Sequence, residues 1–335
     1  MFILILPTYG QQVRVRPTQP HTHTHTYGII TLWPVTRAPM LLAPLALLVG
    51  LCAAPISAQS SKRFPLAPVT SSASCPLTAS TAVAIYADEA GGVGPGSHAW
   101  TGAFFAWWSE ANPSLEYVEL SADNIAIDCS LDEFASLALY VQPGGDASEQ
   151  SSALGPSGRD NILNYLFYVK GAHYQGTCAG SFYASGTYWW NDVFEGAYAF
   201  TPHLFPTQEG PIAELARYPA YTATTVTTSD GDKTMIYYGG PALGLNYTSK
   251  MAASAGTVLS TYSDIRGGAI AATVRTPQLL LHSPHPEAVE GVHLACDPPL
   301  PPGCITAEQR LENWQWLAAT INDFLGKSWV VPAKL

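Results

Sequence analysis

The sequence predicts a three-layer α/β fold, with a mostly parallel central sheet, helices on both of its faces and an antiparallel extension. Three observations carry this. Short apolar runs alternate with helical patterns through the first half of the chain, as strand–crossover–strand units require. Several strand-like runs then follow with no helix between them. Three Gly- or Pro-marked segments each end an apolar strand, which is the rim where open parallel sheets bind ligands.

Taken in order, residues 81–87 (TAVAIYA) read as a buried first strand, and residues 88–96 as a Gly-rich turn. Residues 97–111 read as a helix with Ser97 as N-cap; Trp100, Phe104, Trp107 and Trp108 fall on or near one face and read as core. Strands are expected over 115–120 and 135–142, the second running into Pro143-Gly144-Gly145-Asp146. A helix over 159–169, a strand over 171–175 and a helix over 181–185 follow. Residues 188–219, rich in Pro and aromatics, read as an irregular excursion over the rim. Strands over 222–228, 234–238, 257–262 and 268–275 form the antiparallel continuation. An apolar strand at Leu279-Leu280-Leu281 ends in a Pro-flanked loop. Residues 306–325 read as a closing helix, with Thr306 as cap, Glu308 in its first turn and Trp314, Trp316 and Leu317 on its buried face. No internal repeat interrupts residues 81–330, which read as one domain.

Three motifs carry chemistry. Gly176-Thr177-Cys178-Ala179-Gly180 places one cysteine between two glycines at a strand-to-helix turn. This is the shape of a nucleophile elbow, where a Cβ beside the nucleophile would clash and the following helix N-terminus favours a thiolate. A buried cysteine in a Gly-rich turn is the competing reading. The second motif is His285-Pro286-Glu287. A cysteine nucleophile needs a base, and the base an orienter; residues two apart in extended chain point the same way, so Glu287 can sit beside His285. The third is the Pro-Gly-Gly turn, whose N–H groups at Gly144 and Gly145 can approach a developing oxyanion. Asp88, Glu89, Asp146, His173, His282 and the run Tyr188-Trp189-Trp190 lie near these motifs and have structural readings at least as good.

The order of these motifs resembles the class I glutamine amidotransferase-like superfamily, whose fold is flavodoxin-like and whose triad is a Cys on an elbow, a His, and a Glu two residues later. Within it the chain is similar to the biotin-protein ligase N-terminal domain family, through Pro143-Gly144-Gly145, Gly158-Arg159-Asp160, Gly176-Thr177-Cys178-Ala179-Gly180 and His285-Pro286-Glu287. The stretch Tyr237-Tyr238-Gly239-Gly240-Pro241 also looks like a family segment. The resemblance implies Cys178 as nucleophile, His285 as base and then acid, Glu287 as its orienter, and an oxyanion hole from the N–H of Ala179 with that of Gly144 or Gly145. Ala172 departs from the family, which usually has a second Gly there. No Gly-Arg-Gly-Arg segment occurs, so the family name does not imply biotin ligation. Ala179 also stands where related peptidases and chaperones place a His.

Composition bounds the partners. The 335 residues are 47% hydrophobic and only 12% charged, with net charge -10. That balance argues against nucleic acid or an anionic membrane surface. No metal-spaced Cys/His cluster appears, and no cofactor is expected. The apolar run at 41–54, preceded by Arg37 and followed by Ile56-Ser57-Ala58, reads as a signal peptide spanning about 40–58, with Met40 as a possible true start. Residues 1–39, with the His-Thr repeat at 21–26, then read as a gene-model extension or disordered, and 59–80 as a Ser/Pro-rich lead-in. A secreted protein is expected to hold disulfides. Cys296 and Cys304 flank a Pro-rich loop, and Cys75 and Cys129 remain; four cysteines allow three connectivities. Cys178 is then the odd thiol. Asn246 begins a glycosylation sequon. The expectation is a secreted hydrolase or amidase acting on a small-molecule or peptide substrate through a thioester. The alternatives are an inactive binding module of the same fold and a structural protein with every cysteine cross-linked.

Overall fold

Alternate residues of the first strand, β1 (Thr81–Tyr86), enter two different cores. Ala84 and Tyr86 pack with Tyr140, Leu279 and Leu281 on one face. Val83 and Ile85 pack with Leu139, Val141 and Leu280 on the other. That period-two partition marks a sheet buried on both sides. The computed structural model of the protein describes residues 75–185, 188–190, 193–195, 208–243, 256–265, 270–289 and 303–335. The calls on residues 1–74, on Asn246 and on Cys296 fall outside these.

The elements follow in chain order as α1 (Pro95–Glu110), β2 (Glu116–Leu120), a π-turn (Asn124–Asp128), α2 (Leu131–Phe134), β3 (Leu139–Gln142), α3 (Ala147–Tyr168), β4 (Tyr174–Thr177) and α4 (Ala179–Tyr183). Then come β5 (Tyr188–Trp190), β6 (Val193–Glu195), β7 (Gln208–Gly210), β8 (Thr222–Thr228), β9 (Gly231–Tyr237), β10 (Thr257–Tyr262), β11 (Ala271–Arg275), β12 (Leu279–His282) and α5 (Ala307–Leu325). The main sheet has nine strands in the order β2-β1-β3-β4-β12-β11-β10-β8-β9. Strands β2 to β12 in that order pair in parallel, and β12 to β9 pair antiparallel. Helix α3 supplies Ile162, Leu163 and Leu166 to one core. Helices α1 and α5 supply Phe104, Trp108, Leu317 and Ile321 to the other. The expected three-layer, mostly parallel fold with its antiparallel extension is the one observed.

Several boundaries differ, each for a local reason. Helix α1 starts at Pro95 behind Gly94, so Ser97 lies inside its first turn and is not the cap. Proline's fixed φ suits the first helical position. Helix α3 starts at Ala147 rather than 159, because the Asp146 carboxylate accepts from the N–H groups of Ser148 and Glu149. At Gly155 (φ 57°), just before Pro156, the backbone is non-helical, so α3 is two helical segments joined at a kink. Ahead of β3, a capping box between Ser130 and Glu133 winds α2, with the residues leading into β3 after it. Helix α4 begins directly after Cys178 and is five residues long, ending before the expected 181–185 run does. Residues 188–219 include β5, β6 and β7, a separate three-stranded sheet.

Cys75 and Cys129 form a disulfide. Cys304 is also disulfide-bonded. Cys178 is free and buried.

Candidate active site

The elbow is built by close approach. Cys178 has φ 51°, the only positive φ of a non-glycine residue among the described ones. L side chains rarely adopt that conformation, and strain of this kind gathers at functional sites. On either side, a Cβ at Gly176 would fall 2.6 Å from the Gly180 carbonyl oxygen, and one at Gly180 would fall 1.9 Å from that of Gln142. Both glycines are therefore obligatory. The Tyr174 hydroxyl donates to Gly180 O at 2.7 Å and holds the turn from beneath.

The parallel pairing of β4 with β12 brings the second motif to the same rim. Thr177 is opposite His282, and Cys178 N–H donates to His282 O at 2.9 Å. The Ser181 hydroxyl lies 2.8 Å from both the Gly176 and His282 carbonyl oxygens. Beyond β12, His285 N–H donates to Ile236 O at 2.8 Å, which fixes the loop to β9. His285 and Glu287 are 1% and 2% exposed, and His285 Nδ1 lies 2.9 Å from Glu287 Oε1. The Trp314 indole N–H donates to Glu287 O at 3.0 Å.

Burial opposes charge on the His285 ring, but Glu287 and then the Cys178 thiol outweigh it and push the ring's pKa up to about 10. His285 Nε2 has no hydrogen-bond partner. The Cys178 thiol instead donates to Tyr238 O at 3.3 Å. Neighbouring His282 goes the other way, because burial and then the charge of His285 push its pKa down to about 3. Its Nδ1 lies 3.1 Å from Thr273 Oγ1.

The Pro-Gly-Gly turn is the third wall. Gln150 Nε2 donates to Pro143 O at 3.1 Å, Gly94 N–H to Gly144 O at 3.0 Å and Asp146 N–H to Gly92 O at 2.8 Å. Gly145 has φ 146° and sits between the last two bonds, so its own N–H is not consumed by them. A Cβ at Gly144 would lie 2.6 Å from His285 Cε1 and 3.3 Å from Cys178 Cβ. Ala179 is the first residue of α4, where an N–H has no intrahelical acceptor. The structure thus brings Cys178, His285, Glu287, Gly144, Gly145 and Ala179 together.

Of these, Gly145, Cys178, Ala179 and His285 line a pocket of about 580 Å³. Its walls include Trp100, Tyr188, Trp190, Tyr218 and Tyr238, and Glu89 and Glu149 also line it. The excursion over the rim is therefore part of the pocket wall. Trp100, read from sequence as core, is 7% exposed and packs with Ile236, Ala288 and Ile305, and it faces the pocket as well. Its ring meets His285 edge-on, with centroids 5.4 Å apart, and it lines the pocket. Helical spacing marks a face but not where the core gives way to a cavity. The Tyr238 carbonyl was not singled out, since a backbone acceptor has no side-chain signature. Of the other candidates, Glu89, Asp146, Tyr188 and Trp190 line the pocket, and Asp88 and His173 do not. Asp88 accepts from the N–H groups of Gly91 and Ala122, Glu89 pairs with His98 at 2.8 Å, and His173 packs on Phe324 at the opposite end of β4. Among the described residues no set of three His, Cys, Asp or Glu side chains is placed to hold a metal ion.

No protein-family model matches the chain, and no curated protein matches it. Among solved structures it is similar to a glutamine amidotransferase, at 14% identity over 73% of this chain and 98% of that one, with TM-score 0.46. It is also similar to the acivicin-bound glutaminase domain of Trypanosoma brucei CTPS, at 10% identity over 76% of this chain and 97% of that one, with TM-score 0.43. A glutamine amidotransferase from Thermotoga maritima aligns at 11% identity over 72% of this chain and 84% of that one, with TM-score 0.32.

Proposed function

We propose that this protein is a cysteine hydrolase that cleaves an amide or similar acyl bond through a thioester, with Cys178, His285 and Glu287 as its triad. The observation that carries the reading is the buried His285–Glu287 pair, 2.9 Å apart, whose His285 lines a pocket together with a thiol on a strained elbow.

In this mechanism His285 holds the proton of the Cys178 thiol as an imidazolium, and Cys178 Sγ attacks the acyl carbon as the thiolate. Glu287 holds Nδ1–H and stabilises the imidazolium. The N–H groups of Ala179 and of Gly144 or Gly145 receive the carbonyl oxygen as it becomes anionic. Collapse breaks the C–N bond, and the leaving amine takes the proton from His285. Water, deprotonated by His285, then attacks the thioester, and the acid and free thiol are regenerated. A small-molecule or peptide amide is the substrate class. No biotin-ligase chemistry is assigned, since the Gly-Arg-Gly-Arg segment is absent. The Cys75–Cys129 disulfide and the signal-like segment at 40–58 support secretion as the setting. Among the described residues no helix is long and apolar enough to cross a membrane.

One observation favours a second reading, a binding module that keeps the geometry without turnover. The thiol donates to Tyr238 O, and His285 Nε2 makes no hydrogen bond within normal geometry. Wild type and Cys178→Ala compared on γ-glutamyl and peptide amides separate the two. The hydrolase reading expects amine release that Cys178→Ala abolishes, with Cys178 labelled by a thiol reagent at neutral pH. An unlabelled, inert Cys178 would favour the binding module.

A further inference from the structure

Helix α1 aims its N-terminus at the pocket floor without a cap of its own. Gly94, Pro95, Gly96 and Ser97 all line the pocket. No side chain caps this 16-residue helix, and no acidic residue stands in its first turn. Its first N–H groups and the positive end of its dipole are therefore uncompensated from within the helix. Ser97 adds an independent feature. It is only 8% exposed, yet its hydroxyl makes no hydrogen bond. A serine in a first turn ordinarily turns its hydroxyl back to the backbone. The residue is largely buried but lines the pocket, so its hydroxyl is open to a group bound there.

The position of that hydroxyl says what it meets. From the point where a Cβ on Gly144 would stand, Ser97 Oγ is 2.7 Å away, His285 Cε1 2.6 Å and Cys178 Cβ 3.3 Å. Ser97 therefore shares with His285 and Cys178 the space in front of the Pro-Gly-Gly turn. The geometry points to Ser97 as a further hydrogen-bond donor to the oxygen that becomes anionic when Cys178 adds to a carbonyl, with the α1 N-terminus behind it. Two of the three acidic groups lining this pocket are engaged elsewhere. Glu89 is paired with His98, and Asp146 caps α3. The role assigned to Ser97 rests on Cys178 being the nucleophile.

Two kinds of thiol probe test it. p-Nitrophenyl acetate acylates a thiol through a tetrahedral oxyanion: the S–C bond forms, p-nitrophenolate leaves and the thiol proton is released. N-Acetylglycinal adds the same thiol reversibly to give a hemithioacetal, whose former carbonyl oxygen occupies the same place. Iodoacetamide forms an S–C bond by displacing iodide, with no oxyanion. Ser97→Ala is expected to slow acylation of Cys178 by roughly 100-fold and to weaken aldehyde binding in parallel, while alkylation by iodoacetamide and the melting curve stay as in wild type. Equal losses with all three probes would make Ser97 a positioning residue for the thiol and overturn the assignment, as would no loss with any. Wild type that reacts no faster than Cys178→Ala with every probe would instead remove the nucleophile itself, and the role of Ser97 with it.

Discussion

At 2.9 Å from His285 Nδ1, the buried Glu287 carboxylate fixes the ring's orientation and supplies its counter-charge. The ring's pKa is raised, so the stability this pair contributes is complete below the ordinary value of 6.5 and is lost as pH rises through about 10. Removing one partner of a buried ion pair costs about 3–5 kcal/mol. Glu287→Gln is accordingly expected to be less stable than wild type by about that amount near neutral pH. Urea unfolding across the alkaline range should show the gap narrowing as wild type loses its imidazolium. A constant gap would mean that Glu287 stabilises by packing and not by charge. The pair was legible in the sequence from its His-x-Glu spacing after an apolar strand, although the chain brings the two together through a turn, with Ala288 N–H donating to His285 O at 3.3 Å, and not through an extended segment. The thiol's bond to Tyr238 O was not legible, since any residue type can present a carbonyl there.

Among the elements, the β4–α4 turn tolerates the least change. A Cβ at Gly180 meets a backbone oxygen, which cannot move aside without opening β3 from α4. Gly180→Ala is expected to cost about 1–3 kcal/mol or more and to slow labelling of Cys178, measured by thermal unfolding and thiol-reaction rate. Gly102 gives the opposite outcome. It lies inside α1, and the nearest atom to a Cβ there is Glu119 Oε1 at an ordinary 3.5 Å. Gly102→Ala should stabilise by about 0.5–1 kcal/mol, and a loss would show that α1 is packed more tightly on β2 than the distances imply. The elbow was readable because glycines enforced by close approach leave a fixed spacing. The first half of α3 was hidden, because Gly155-Pro156 is a real break between two helical segments and the sequence signal was legible only after it. The strands β5 to β7 were hidden for a different reason. They are three residues each, too short for an alternation to register.

For the molecule as a whole, the Cys75–Cys129 bridge closes a loop with a sequence separation of 54. Chain entropy gives such a closure about 4 kcal/mol at most. Because both sulfurs lie away from the pocket-lining residues, Cys75→Ser with Cys129→Ser should lower stability by about 2–4 kcal/mol and leave the reaction rate of Cys178 unchanged. A changed thiol rate would show that the bridge reaches the site. The sheet order has a consequence for how the chain is made. Strand β12 lies between β4 and β11, yet every other strand of the sheet precedes it in the sequence. As the chain emerges, β4 keeps an open edge and Cys178 stays without its base until β12 inserts and joins the two halves. During that interval an unshielded thiol coexists with Cys75 and Cys129, which must find each other. The last strand to be synthesised is therefore also the one that shuts the nascent protein against wrong cross-links and edge-to-edge association.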